Sequence, residues 1–371
     1  MAAEFLHSSR MPSSKFVTSA PELSDLAALL ATSAAIALDT EFMRERTYRA
    51  QLCLVQVATD SHAACIDPLA LDSLAGLTAL MQADGPLKVL HAARQDLEVM
   101  EPVCGVLAPV FDTQIAAGLV GFPAQVGYAE LVSTLLDVQL LKAHTRADWS
   151  RRPLSPQQIE YALDDVRYLL PTRDKLLEML DQRGRLGWLD EELQTLASAS
   201  HGVDPERAWL RLKGIAGLDE GRVALAQQLA AWRERRAIDK NRPRGWIIDD
   251  NVLREIIHRV PRSREQLASI REIPDAVVRN SGEELLAMIA ACGLADPPPA
   301  LPRRERPDPQ LTALVKRLAD IAQQTAQELE LAPELLATRR DLDELARTGE
   351  SAALFSGWRG ATLGPALRAA L

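Results

Sequence analysis

Cysteine is scarce and scattered. Cys53, Cys65, Cys104 and Cys292 are the four in the chain, and none stands at metal-ligand spacing from another. That arrangement encodes neither a thiolate zinc site nor a disulfide framework. Cys53 and Cys65 fall in strand-like apolar runs, the setting of buried thiols in a reducing compartment. Clustered histidine is also missing, which excludes a nitrogen-rich transition-metal centre. No run approaches the ~20 apolar residues of a membrane span, and the opening MAAEFLHSSRMPSSKF lacks the continuous apolar stretch of a signal peptide. A cytoplasmic protein of bacterial style is the expectation. Excess positive charge is the last absence: 42 Lys and Arg face 51 Asp and Glu, a net of −9. On its face this argues against nucleic acid, but the charge is uneven. Residues 1–200 carry 16 basic against 26 acidic side chains, and residues 201–371 carry 26 against 25. Within the second part, Arg222 to Arg264 holds 11 basic and 5 acidic residues, a local basic excess where a phosphate footprint is to be sought.

What is present is a set of acids in three stretches. In AIALDTEF an apolar run flows into Asp39, and a strand alternates faces with period two, so Asp39 and Glu41 project to the same side. Two carboxylates on one strand face repel, and a cation, a basic partner or solvent must relieve them. Asp96 follows the apolar run LKVLHA by a few residues and opens a helix, a common address for ligands in α/β sheets. In SPQQIEYALDDVRYLL, helical periodicity behind Ser-Pro places Tyr161 and Asp165 four apart on one helix face, with Cβ atoms about 5 to 6 Å from each other. Each piece has an ordinary structural meaning: a solvated strand edge, a helix-capping Asp, a common helical pair. Their combination in these element types suggests a shared site.

Four carboxylates without sulfur or clustered imidazole suit hard cations, Mg²⁺ or Mn²⁺. Two such ions about 4 Å apart can serve the attacking and the leaving oxygen of an in-line phosphoryl displacement. In this reading Asp39 bridges the ions, Glu41 and Asp165 complete one position, and Asp96 serves the other. A phenol of pKa about 10 is a poor base at neutral pH, so Tyr161 is expected to orient the attacking water.

The stretches LDTEF, RERTYRAQLCLVQVAT, IDPL, LHAARQDLEVM, FDTQIAAGLVG and RADWSRRPLSPQQIEYALDDVRYLLP together resemble the ribonuclease D family, in the tyrosine branch of the DEDD exonuclease superfamily. The resemblance is dense from Pro21 to Leu180 and looser to the C-terminus. It implies an α/β ribonuclease H-like fold and 3′-to-5′ hydrolysis of RNA to nucleoside 5′-monophosphates with two divalent ions. It also implies trimming of the 3′ ends of transfer-RNA precursors. It assigns Asp39, Glu41, Asp96 and Asp165 to the metals and Tyr161 to the attacking water. Asp164 adjoins the last ligand, but only Asp165 stands four after Tyr161. The approach LLKAHTRADW departs slightly from the family around its Lys, which bears on local contacts.

At 371 residues and 47% hydrophobic content the chain can form several cores. An exonuclease domain with a mixed sheet is expected over residues 1–200: a helix at Glu22 to Leu30, strands at Ala35, Leu52, Ala63 and Lys88, a helix after Asp67-Pro68, then mostly helices. The pattern then becomes helical. Residues 203–294, with AWRERRAIDKNRPRGWIIDDNVL, resemble the HRDC module (helicase-and-ribonuclease-D C-terminal). A Pro-rich linker covers 295–309, and 310–371 resembles a second HRDC-like helical bundle. Trp209, Trp232 and Trp246 are read as core. Tentative RNA contacts are Phe42 for stacking, His91 at the substrate end, and Arg151 and Arg152 before the Tyr161 helix. Arg233, Arg235, Arg236, Lys240, Arg242 and Arg244 are further candidates, although charge on a helix is usually a solvated face. Asp112 is expected to cap a helix. A monomer is favoured, with RNA as partner. The rival readings are a DNA-directed proofreading or repair exonuclease and a non-catalytic RNA-binding scaffold, the latter having no need of all four acids and the tyrosine.

Overall fold

A computed structural model describes residues 13–140, 147–198, 204–215, 217–294 and 308–371. The linker expected at 295–309 lies outside the described residues except for its last two positions, as do the opening stretch and most of LLKAHTR. The described chain forms two compact units.

The first unit is built on six strands: β1 Ser13–Val17, β2 Ala35–Met43, β3 Gln51–Ala58, β4 His62–Ile66, β5 Leu87–Leu90 and β6 Val110–Asp112. Their order across the sheet is β1-β4-β3-β2-β5-β6. The pairs β1–β4, β2–β5 and β5–β6 are parallel, and β3–β4 is antiparallel, so the sheet is mixed as expected. Strands near Ala35, Leu52, Ala63 and Lys88 agree with the apolar runs, whereas β1 and the three-residue β6 carry too little pattern to be read. The strand that bears Asp39 and Glu41 therefore lies inside the sheet, between β3 and β5.

The buried side chains Ala37, Cys53, Leu54, Cys65 and Val89 join those of Ala162, Leu163 and Val166 in one core. Lys88 is the anomaly, a lysine wholly buried in β5. Its ammonium donates to the carbonyls of Leu80, Gln82 and Ala108, giving each of its three N–H donors an acceptor. It ties the helix Ala75–Met81 and the turn before β6 to the strand between them. The first helix, Ala20–Leu30, begins in a capping box in which Ser19 and Glu22 satisfy each other's backbone ends.

Residues 308–371 belong to this same unit. Their helices run from Pro309–Glu328 to Gly364–Ala370. Trp358 stacks on Trp188 at 4.6 Å between ring centroids, and its indole N–H donates to Glu192 at 2.7 Å. Arg185 donates to the carbonyls of Leu119 at 2.7 Å and Leu329 at 2.6 Å. By compactness, then, the segment read as a second helical bundle is part of the unit that holds the sheet.

The second unit joins Arg44–Gln51, the connection between β2 and β3 with the first residue of β3, to the described residues from 204 to 294. A 3₁₀ turn at Pro205–Arg211 precedes the helices Glu220–Asp239, Arg244–Ile247, Asp250–Arg259, Arg264–Ala268 and Asp275–Ala291. Leu225, Leu229, Trp232, Leu253, Ile256 and Leu285 fill its core. Tyr48 hydrogen-bonds the buried Glu234 at 2.5 Å, and the Arg49 amide donates to Asn241 at 3.1 Å. Among the described residues no helix is long and apolar enough to cross a membrane, and all four cysteines are thiols.

Candidate active site

Each acid is held by a local device. β2 presents Asp39 and Glu41 on alternate positions, as period two requires, with both side chains part-exposed. Thr40 between them donates its hydroxyl to Asp96 at 2.5 Å, a link from β2 to the first turn of the helix Arg94–Cys104. That helix follows a turn in which Ala92 takes a left-handed φ of 57°. Asp112 at the end of β6 closes the turn, accepting the amides of Ala92 at 3.0 Å and Ala93 at 2.8 Å. The same carboxylate caps the helix Thr113–Leu119 through the amides of Gln114 and Ile115. Asp112 thus does the expected capping and also fixes the entry to the Asp96 helix.

The helix Pro156–Arg167 starts as its Ser-Pro signal predicts. Ser155 accepts from the Gln158 amide at 3.2 Å while the Gln158 side chain accepts from Ser155 at 3.0 Å, and Pro156 stands in the first turn. Ala162, Leu163 and Val166 bury one face. Tyr161 and Asp165 share the adjoining face, where the phenol donates a hydrogen bond to the Asp165 carboxylate. The Tyr161 ring lies 6.2 Å from that of Trp149. The neighbouring acid differs in kind: Asp164 is paired with Arg167 at 2.7 Å.

The four acids feel one another. Burial holds the Asp39 carboxyl well above the ordinary carboxylate range, and the charges of Asp96, Asp165 and Glu41 push the same way. Burial, then Asp165 and Asp96, raises Glu41 to about 8. Asp96, only 6% exposed, is raised to about 7 by burial against the opposing Thr40 hydrogen bond. Asp165 reaches about 7 through burial and the charge of Asp164. At Glu41 burial and the Asp165 and Asp96 charges act in the same direction, whereas at Asp165 the Tyr161 hydrogen bond opposes burial. The donors are all carboxylate oxygens, the set that a hard divalent cation takes, and their gathered charge is what such a cation neutralises. Among the described residues, no group of three or more His, Cys, Asp or Glu is gathered closely enough to hold an ion as it stands.

Sequence reasoning passed over Tyr128. Its hydroxyl donates to the Asp164 carbonyl at 3.2 Å, its ring packs 5.6 Å from His91, and burial followed by the Asp165 charge raises its pKa. It bridges the helix Tyr128–Leu136 to the Asp165 turn. Only its place in the sheet-side cluster reveals it, since GYAEL carries no distinctive spacing.

The tentative contacts separate by environment. Phe42 is part-exposed beside Glu41, and Arg151 is exposed and paired with Asp148 at 3.0 Å. His91 has both ring nitrogens engaged, one with Thr113 at 2.9 Å and one with the Val126 carbonyl at 3.0 Å. Arg152 departs from its expected role. It holds Asp67 through two bonds and donates to the carbonyls of Trp149, Arg151 and Cys53, which occupies all five guanidinium hydrogens. Arg152→Ala is expected to cost about 3 kcal/mol in denaturant unfolding, because Asp67 is left buried and unpaired, and to leave RNA affinity unchanged.

The basic residues of the second unit divide likewise. Arg233 is 2% exposed and paired with Asp250 at 2.6 Å, which removes it from any phosphate surface. Arg235 pairs with Glu206, and Arg236 with Glu284. Lys240 and Arg242 are exposed and Arg244 is part-exposed. Trp232 is core as expected and Trp209 packs against that core, but Trp246 is 61% exposed.

A family model described as 3′-5′ exonuclease matches residues 15–181, and an HRDC domain model matches residues 222–289. The chain is 41% identical over 362 residues to the ribonuclease D of Granulibacter bethesdensis, covering 95% of this chain and 91% of that protein. It is 40% identical over 354 residues to the ribonuclease D of Sphingobium indicum, covering 92% and 90%. Among solved structures it is similar to Escherichia coli RNase D, an exoribonuclease involved in structured RNA processing, with a TM-score of 0.85 and 32% identity over 97% of this chain and 98% of that one.

Proposed function

The chain belongs to the ribonuclease D family of 3′-to-5′ exoribonucleases, and from that premise we propose that Asp39, Glu41, Asp96 and Asp165 hold two divalent cations, Mg²⁺ or Mn²⁺, at which RNA is shortened one nucleotide at a time. The observation that carries this reading is the gathering of Asp39, Glu41, Asp96 and Asp165, with Asp39 feeling the charges of the other three. When bound, such a pair of ions supplies Lewis acidity to both the attacking and the leaving oxygen of an in-line displacement.

The chain's own residues position the rest. The Tyr161 phenol has a pKa raised by burial and then by the Asp165 charge, so it keeps its proton at neutral pH and is no general base. With that proton directed at Asp165, the phenol oxygen offers its lone pairs to a hydrogen of the attacking water and orients it. Thr40 holds Asp96 by a hydrogen bond, and Tyr128 holds the helical turn that carries Asp165. Water adds to the terminal phosphorus, the 3′ oxygen of the penultimate nucleotide departs, and the products are a nucleoside 5′-monophosphate and an RNA with a new 3′ hydroxyl. Phe42 supports the terminal base, and Arg151 a backbone phosphate.

The substrate is RNA with an open 3′ end, with precursor transfer RNA as the physiological case, acted on by a cytoplasmic monomer. Four thiols without a disulfide support the compartment. The proposed division is an exonuclease domain over 1–200, an HRDC domain over 203–294 and a second HRDC-like bundle over 310–371, the last lying within the compact unit that holds the sheet. The test is end-labelled RNA and DNA of one sequence, incubated with Mg²⁺, Mn²⁺ or EDTA. A mononucleotide ladder from the 3′ end of RNA, seen only with metal, is expected. Equal or better digestion of DNA replaces the reading with a DNA-directed exonuclease.

A further inference from the structure

β2 carries its acids at an end that its parallel neighbour does not reach. The register of β2 with β5 runs from Ala35–Leu87 to Ala37–Val89, and β5 stops at Leu90. Asp39, Glu41 and Phe42 stand beyond that point, where the remaining strand neighbour among the described residues is β3. β3 starts at Gln51, on the other side of the connection, so the course of the connection bears on both strands at this end. Arg44, Glu45 and Arg46 leave β2 exposed, and Arg44–Gln51 group with the second unit. Two anchors lie within that unit. The Tyr48 ring packs against its core, and the phenol donates to Glu234 at 2.5 Å. The Arg49 amide donates to the side chain of Asn241 at 3.1 Å, and Asn241 takes a left-handed φ of 45°, which Asn adopts more readily than most residues.

Glu234 is an expensive choice for its position. It is 1% exposed, and its second carboxylate oxygen is buried without a hydrogen-bond partner among the described residues. The charges of Arg211 and Arg244 act on the same phenol, so cations stand near the pair, but an apolar residue of this volume would still burden the fold less. What the acid adds is a directional acceptor for the Tyr48 hydroxyl. Fixing register is the best-attested use of a buried polar pair.

We infer that the Tyr48–Glu234 hydrogen bond, with the Arg49–Asn241 bond beside it, is a positioning device for the exonuclease reaction: by gripping the β2–β3 connection, the helical unit fixes the strand end that presents Glu41 and Phe42. The inference rests on the catalytic reading of those two residues. Tyr48 and Glu234 act along the chain itself and touch neither RNA nor metal in this role.

The test compares the full chain with three variants. Tyr48→Phe removes the hydroxyl and keeps the ring, Glu234→Gln keeps an acceptor oxygen, and Tyr48→Phe combined with Glu234→Met replaces the pair with apolar groups of similar volume. Single-turnover cleavage of a short single-stranded RNA in Mg²⁺ gives the rate at saturation and the half-saturating enzyme concentration, and hydrogen exchange follows the amides of residues 39–43. Tyr48→Phe is expected to lower the saturated rate about tenfold while half-saturation stays within about twofold. Exchange over residues 39–43 is expected to quicken by about tenfold in the same variant. Glu234→Gln stays near wild type in both. The double variant is expected to regain the denaturation midpoint that Tyr48→Phe loses and to keep the slow rate, which a bond serving stability alone would not do. A double variant as stable and as fast as wild type overturns the inference, as does Tyr48→Phe cleaving at the wild-type rate. If the wild-type chain releases no nucleotide while exchange still quickens in Tyr48→Phe, the grip on β2 stands and the catalytic reading alone falls.

Discussion

Asp39→Asn is expected to lower kcat/KM on RNA by more than about a hundredfold, through loss of a charge that stabilises the reaction only when cations are in place. The same variant, stripped of metal, is expected to unfold at a higher denaturant concentration than the wild type at pH 8. Both follow from one fact: the folded chain holds the half-buried Asp39 among three like charges, which costs folding energy that an amide does not. Asparagine keeps the shape and can still accept a hydrogen bond there, so the variant separates charge from packing. Tyr161→Phe provides the contrast. It removes an orienting oxygen and leaves all four carboxylates, so turnover falls while metal binding persists. Circular dichroism, chemical denaturation and a single-turnover assay on the same preparations settle the matter. An Asp39→Asn enzyme that digests RNA at the wild-type rate overturns the assignment, and one that is less stable without metal shows that the carboxylate serves the fold.

Much of this site could be read along the chain because its elements are short-range objects. Ser155, Pro156 and Gln158 announce a helix start, and four residues of helix bring Tyr161 next to Asp165 whatever surrounds them. Two residues of strand do the same for Asp39 and Glu41. The unread parts depend on partners distant in sequence. β1 pairs with β4, whose register joins Val17 to Ile66, and five residues give no alternation long enough to announce a strand. Lys88 sits in a strand because three carbonyls from two other segments receive it, a destination that residue type argues against. Arg152 and Arg233 look like any surface cation until Asp67 and Asp250 are found against them. Trp246 follows the statistics of tryptophan in sequence and defies them in space, since the neighbouring Ile247 and Ile248 take the core positions instead. Periodicity tells which residues share a face, but only packing tells what that face meets.

Divalent cations are expected to raise the melting temperature far more at about pH 8 than at about pH 5.5, and activity is expected to fall with acid over the same range. Glu41 at about 8, with Asp96 and Asp165 at about 7, stand above the value near 4 that carboxyls have in an unfolded chain. Between about pH 4 and pH 8, the metal-free folded state therefore holds protons that the unfolded state has released. Stability of the metal-free protein from these groups falls as pH rises through that window, and above about pH 8 no further change comes from them. A cation binds the deprotonated oxygens, so in acid it must displace protons and in mild base it meets open ligands. Metal binding near pH 6.5 must then release protons, which calorimetry detects as a heat that varies with the ionisation enthalpy of the buffer. Asp165→Asn tests the origin of the effect by deleting one titrating ligand and diminishing both the proton release and the pH dependence of the metal-induced shift. A shift of equal size at the two pH values, with no protons released, would mean that the cations bind somewhere other than these four acids.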